Sequence, residues 1–107
     1  YAGTATRLEA GMMLSNEPGY YKQGHYGIRI ENLVLVVPAD IPGAEGDYLG
    51  FETLTYVPLD RRLVDRRLLT EAEIAWWNAY HEEVRRILAP QLEGDDLAWL
   101  EAECAPL

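Results

Sequence analysis

The chain has a single cysteine, Cys104, among its 107 residues. One cysteine excludes an internal disulfide framework and a cysteine-rich zinc site, and it fits a reducing compartment. Cys104 lies close to the end of the sequence and is expected to be an inert thiol. Positive charge is scarce as well: nine Lys and Arg stand against 18 Asp and Glu, a formal net charge of -9. A nucleic-acid partner needs a basic surface to neutralise phosphate, and an anionic membrane leaflet asks for the same sign, so neither partner is expected. Long apolar runs are also missing. The longest, from Leu33 to Ala39, is strand length, far short of the roughly 20 residues of a spanning helix. The opening residues, Tyr1 to Arg7, hold neither a basic region nor an apolar stretch, so no secretory signal is read there. Position 1 is not Met, and the expectation is a processed, excised or truncated chain. What is present is hydrophobic mass, 49% of residues, which is too much for a disordered acidic tail.

The patterning changes near residue 60. Before it, β-branched runs alternate with Gly and Pro punctuation; residues 70–103 read as helix. Residues 8–15 form a candidate first strand, and Pro18-Gly19 and Gln23-Gly24 mark turns after it. Residues 27–37 read as a second strand. Its first half alternates, with Ile28 and Ile30 on one face and Arg29 and Glu31 on the other; its second half is apolar on both faces, as in a covered central strand. Residues 38–48 read as a surface loop and residues 50–58 as a third strand, which together predict an antiparallel meander. Thr70 and Glu73 form a capping box, and Ile74, Trp77, Tyr80 or His81, Val84 and Ile87 follow as one apolar stripe. Pro90 is expected to stop that helix. Asp95-Asp96 are expected to cap a shorter one that runs through Trp99 and Leu100 to about Glu103.

Two acidic residues lack a structural reason. Glu17 lies between a strand and a Pro-Gly turn, and Glu31 lies inside an otherwise apolar strand. A carboxylate in a sheet is rarely buried unless it is paired or binds metal. An Arg29–Glu31 pair on a solvent-facing strand is the simpler reading, and two carboxylates alone do not make a metal site.

The blocks around these residues carry more. Leu14-Ser15-Asn16-Glu17-Pro18-Gly19-Tyr20-Tyr21 and Tyr26-Gly27-Ile28-Arg29-Ile30-Glu31-Asn32 resemble the C-terminal part of the catalytic domain of Xaa-Pro aminopeptidases, the aminopeptidase P branch of the pita-bread metallopeptidases. Residues 49–59 and the tail with Trp77-Asn78-Ala79-Tyr80-His81 are similar to the longer, cytosolic type. The resemblance implies an α+β chain: the C-terminal portion of a pita-bread (creatinase/aminopeptidase-like) fold, with an antiparallel curved sheet followed by C-terminal helices. It divides the chain into residues 1–62, the last part of the catalytic domain, and residues 63–107, a helical extension. It also implies a hydrolase with two divalent metal ions, of which Mn²⁺ is expected, that releases an N-terminal residue preceding proline.

Residue by residue, Glu17 matches a metal ligand that is also the candidate general base, and Glu31 matches a carboxylate shared by both metals. Arg29 matches an arginine that orients the ligand carboxylates, and Tyr21 a tyrosine that hydrogen-bonds near the centre. The family's other ligands, two Asp and one His, have no counterpart in residues 1–16, so these 107 residues by themselves are expected to be inactive. His25 falls where the family has a variable loop residue. His81 reads as packing, Glu52 as a structural or pairing residue, and Trp76, Trp77 and Trp99 as core or interface anchors. The acidic residues Glu93, Asp95, Asp96, Glu101 and Glu103 have no Lys or Arg nearby in sequence and read as a solvated face. The resemblance further implies peptides with proline at the second position as substrates, a homodimer, and a cytoplasmic location. A prolidase-like dipeptidase and a catalytically inactive pita-bread binding module are the alternatives; the retained Glu17 and Glu31 argue against the second.

Overall fold

A computed structural model describes residues 5–107. The reading of the first seven residues therefore falls largely outside the described residues. The chain divides between Thr55 and Tyr56 into two compact units.

The first unit is built from strands. β1 (Met13–Asn16), β4 (Asn32–Ala39) and β5 (Tyr48–Thr53) form one antiparallel sheet in the order β1-β4-β5; β2 (Gly19–Lys22) and β3 (Tyr26–Arg29) pair as an antiparallel hairpin. β4 is central and carries the buried residues Val34 and Val36, as its two-sided apolar run predicts. Pro38 does not end β4. The neighbouring Val36 N–H points to Met12 of the β1 side, so the N–H that Pro38 lacks would face the same way, beyond the end of the ladder.

The expected meander survives as β1, β4 and β5, with several corrections. The first strand begins at Met13 rather than residue 8, because a turn at Gly11, with φ 93°, precedes it. The second strand is two strands, interrupted at Ile30 and Glu31. The third spans Tyr48–Thr53 and stops before residue 58; the loop is correspondingly shorter than 38–48. The sequence marks the β2–β3 hairpin only by the turn signals Pro18-Gly19 and Gln23-Gly24, the second of which falls in its tip. Its tip is Gln23-Gly24-His25, with Gly24 at φ 74°, a left-handed position that glycine reaches without strain.

The second unit is built on α1 (Glu71–Leu88) and α2 (Gly94–Glu103). The capping box forms as expected: Glu73 N–H donates to Thr70 Oγ1 at 3.1 Å, and Thr70 N–H donates to Glu73 Oε1 at 2.8 Å. The apolar stripe buries Trp77, Tyr80, His81 and Val84. Tyr80, Val84, Leu100 and Cys104 form the core, with Tyr56, Leu59, Leu88, Ala89 and Leu92 against it. Residues 89–91, with Pro90, form a 3₁₀ turn that separates the two helices, as Pro90 predicts. Asp95 and Asp96 do not cap α2; Glu93 occupies the cap position without a side-chain bond, and the two Asp lie in the positive first turn.

α1 also fastens the segment that leads to it. The Tyr80 hydroxyl donates to the Val57 carbonyl at 3.0 Å and accepts from the Val57 N–H at 3.2 Å. His81, fully buried, accepts the Leu59 N–H on Nε2 at 3.0 Å, while its Nδ1 lies 2.8 Å from the Trp77 carbonyl. That pair of partners fits a neutral ring with its hydrogen on Nδ1. Two successive Asp-Arg-Arg-Leu stretches, from Asp60 and from Asp65, fold into 3₁₀ turns capped in the same way. In each, the Asp accepts from the N–H and the guanidinium of the Arg two residues on. The acidic tail is not wholly unpaired: Arg85 of α1 bonds Glu101 at 2.6 Å, a contact 16 residues apart in sequence.

Candidate metal centre

The geometry of the candidate residues starts from strand register. In β1 and β4, Met13 faces Leu35 and Asn16 faces Asn32; in β2 and β3, Gly19 faces Arg29 and Lys22 faces Tyr26. The two ladders share one register, so they are one long ribbon whose pairing is interrupted midway. Counting on from Asn16 and Asn32 sets Glu17 opposite Glu31 in the interruption. The Ile30 N–H donates to the Pro18 carbonyl at 3.3 Å and holds the two sides together there. Proline at 18 has no N–H for the ladder, which accounts for the interruption on that side.

Glu31 is anchored from its other neighbour. Asn32 Nδ2 donates to the carbonyl and to the hydroxyl of Thr55, both at 3.2 Å, and the Leu33 N–H donates to the same hydroxyl at 3.1 Å. The start of β4 is thereby tied to the end of the first unit, and Glu31 stands at the fixed end of a central strand.

Arg29 Nε lies 3.4 Å from Glu31 Oε2, with both side chains partly exposed. The pair is thus the solvent-facing one that alternation predicts. The Arg29 guanidinium is held above its ordinary pKa first by hydrogen bonding with the Tyr21 hydroxyl, and further by the negative charges of Glu31 and Glu17. By register the four candidate residues fall on one face of the ribbon, with Arg29 beside Glu31.

The Tyr21 ring can lie flat because the hairpin is bare beneath it. A Cβ on Gly19 would lie 2.6 Å from the Tyr21 hydroxyl, and one on Gly27 would lie 2.7 Å from Tyr21 Cδ1. The ring lies across both glycines. Sequence reasoning missed these two, although the spacing was visible: Gly-x-Tyr in one strand faces Gly-x-Arg in the other.

The remaining candidates stand apart. His25 sits in the hairpin tip, where its N–H donates to the Lys22 carbonyl. Glu52 is exposed on β5 opposite Leu35 and has no ion pair among the described residues, so its expected pairing role is not found. His81 and Trp77 belong to the helical core, with rings stacked at 4.7 Å. Trp76 stacks on Tyr80 at 5.4 Å and Trp99 is exposed.

Carboxylates are the donors that hard divalent cations use, so Glu17 and Glu31 suit such an ion. Among the described residues, no group of three or more His, Cys, Asp or Glu could hold a metal ion. Two carboxylates alone do not complete a site for such an ion.

Comparison with known proteins completes the picture. Residues 47–107 match the family model for the C-terminal region of peptidase_M24, and residues 1–38 match metallopeptidase family M24. The chain belongs to the M24 metallopeptidase family. It is 50% identical over 106 residues to "Probable Xaa-Pro aminopeptidase P" of Coprinopsis cinerea, covering 95% of this chain and 17% of the relative. It is 46% identical over 108 residues to "Aminopeptidase P2" of Arabidopsis thaliana, covering 98% of this chain and 15% of the relative. Among solved structures it resembles the X-prolyl aminopeptidase of Caenorhabditis elegans, described as a cytosolic enzyme with a di-nuclear active site. The TM-score is 0.85 at 39% identity, over 98% of this chain and 18% of that one. The fold is thus the expected α+β portion of the pita-bread architecture, antiparallel sheet followed by helices. The M24 chain spans about a sixth of the length of the curated relatives it matches.

Proposed function

We propose that these residues contribute two carboxylates, Glu17 and Glu31, to the dinuclear metal centre of a Xaa-Pro aminopeptidase. The observation that carries the reading is the shared register of the two ladders, in which Glu17 and Glu31 fall opposite each other with Arg29 at 3.4 Å from Glu31. The names of the relatives and the di-nuclear site of the Caenorhabditis elegans enzyme support it. When bound, the metal pair supplies Lewis-acid polarisation of a scissile carbonyl. The protein side of the chemistry lies with four residues. Glu17 serves as general base and ligand, accepting a proton from the water that attacks the peptide. Glu31 would be the second carboxylate that helps hold the ions. Arg29 fixes the direction of Glu31 by charge, and Tyr21 steadies Arg29.

In this reading the substrates are peptides with proline at the second position, the ions are Mn²⁺, and the whole protein is a cytoplasmic homodimer. Residues 1–62 form the closing part of the catalytic domain and 63–107 a helical extension; family matches over 1–38 and 47–107 support a two-part chain. Among the described residues no helix is long and apolar enough to cross a membrane.

The test is a peptidase assay with a Xaa-Pro peptide and Mn²⁺. The 107 residues alone should show no turnover. A polypeptide of the relatives' length that carries them should be active, and Glu17→Gln within it should lower kcat by roughly 10²- to 10⁴-fold, the usual weight of a general base. Turnover by the 107 residues alone, or an active Glu17→Gln variant, would contradict the reading.

A further inference from the structure

The face of the β2–β3 hairpin that carries Arg29 is made of four residues, Gly19, Tyr21, Gly27 and Arg29. The cross-strand pairs are Tyr21 with Gly27 and Gly19 with Arg29. The two large side chains thus sit on one diagonal and the two glycines on the other. The opposite face is filled by Tyr20, Lys22, Tyr26 and Ile28, with the Tyr20 and Tyr26 rings 6.1 Å apart.

Glycine in a strand weakens it and gives no side chain to pack. Positive φ is not the reason for it here: among the described residues the glycines with positive φ are Gly11, Gly24, Gly43 and Gly94. The reason is steric. Above Gly27 lies the near edge of the Tyr21 ring, Cδ1 and Cε1, at 2.7 and 3.1 Å from an added Cβ. Above Gly19 lies its far end, Cζ and the hydroxyl, at 2.8 and 2.6 Å. The ring therefore crosses the hairpin from Gly27 to Gly19, and Gly19 is the residue that faces Arg29.

We propose that Gly19 and Gly27 are positioning residues: they form a bare strip on which Tyr21 lies flat, so that its hydroxyl is delivered to Arg29 and keeps that guanidinium against Glu31. The inference rests on the proposed metal role of Glu31 only for its consequence, since the strip and its effect on Arg29 are properties of the hairpin itself. An alanine at either glycine lifts the ring. The Arg29 guanidinium then loses its hydroxyl partner and is free to turn to water.

The experiment is nuclear magnetic resonance of the full chain, with Gly19→Ala, Gly27→Ala and Tyr21→Phe. Gly46→Ala is the control, because nothing lies within 4 Å of a Cβ there. In the unsubstituted chain the Tyr21 ring should give contacts to the Gly19 and Gly27 α-protons, which should be shifted upfield by the ring. In Gly19→Ala and Gly27→Ala those ring contacts should vanish. In these two and in Tyr21→Phe, solvent exchange of the Arg29 Nε proton should quicken by roughly threefold to tenfold, the weight of one hydrogen bond. Gly46→Ala should change neither. Tyr21→Phe adds no bulk to the strand, so it decides the hydroxyl's role even if an alanine disturbs the hairpin.

Unaltered Arg29 exchange in Tyr21→Phe, or ring contacts that persist in Gly27→Ala, would overturn the proposal. Adding Mn²⁺ to the same samples separates the two ideas. If Mn²⁺ leaves the Glu17 and Glu31 signals sharp while Arg29 exchange still follows the glycines, the metal reading fails and the strip stands. If Mn²⁺ broadens those signals and Arg29 ignores the glycines, the strip fails and the metal reading stands.

Discussion

At the scale of single residues, His81 shows how one side chain can serve two backbone groups. It accepts from Leu59 and lies against the Trp77 carbonyl, with no exposed surface of its own. Its place on an apolar stripe made a packing role legible, but the bonds were not, because Leu59 is 22 residues away in sequence. His81→Ala should leave the Leu59 N–H without a partner and open a void, at a cost of about 2–4 kcal/mol. Urea denaturation would register this as a lower midpoint, and an unchanged midpoint would refute the assignment. Cys104 makes a second case. Burial first, and the charge of Glu101 next, hold its thiol above the ordinary pKa. The folded pKa thus exceeds the unfolded one, so the stabilising contribution is complete below the unfolded value near 8.5 and is lost as pH rises above it. A thiol reagent at pH 8 should react much more slowly with the native chain than with the urea-unfolded one. Equal rates would mean that the thiol is open.

At the scale of elements, α1 was the most legible, since its start is written in Thr70 and Glu73 and its inner face in a 3.6-residue repeat. Thr70→Ala should lower stability by about 1 kcal/mol, as measured by thermal or urea unfolding. The strands were less legible. An alternating pattern names a face but does not say where a ladder stops, and the break at Ile30 and Glu31 depends on Pro18 across the ribbon. The Asp-capped turns make a pH prediction. Bonds from Arg62 lower the Asp60 pKa to about 2, and Asp65 and Glu73 are lowered by their own caps. For such groups the folded pKa is below the unfolded one. Their stabilisation is present above the unfolded values near 4 and is lost as pH falls toward about 2. A denaturation series from pH 6 to pH 2 should therefore show stability declining only below about pH 4.5. These caps are exposed, so each one contributes modestly.

At the scale of the whole molecule, the charge of -9 excluded partners but named no function. The candidate site was legible as residue types in two blocks, Glu17 and Glu31, because those blocks resemble a known family. That the two face each other follows only from a register shared by two separate ladders. Gly19 and Gly27 could not be recognised as site residues until the Tyr21 ring was seen lying on them. The central claim is that this chain brings two carboxylates of a larger metal centre and not the centre itself. Calorimetric titration of the 107 residues with Mn²⁺ tests it most directly. The expected result is weak binding, well short of two ions per chain, that Glu17→Gln and Glu31→Gln each diminish. Tight binding of two ions per chain, or binding indifferent to both substitutions, would contradict it.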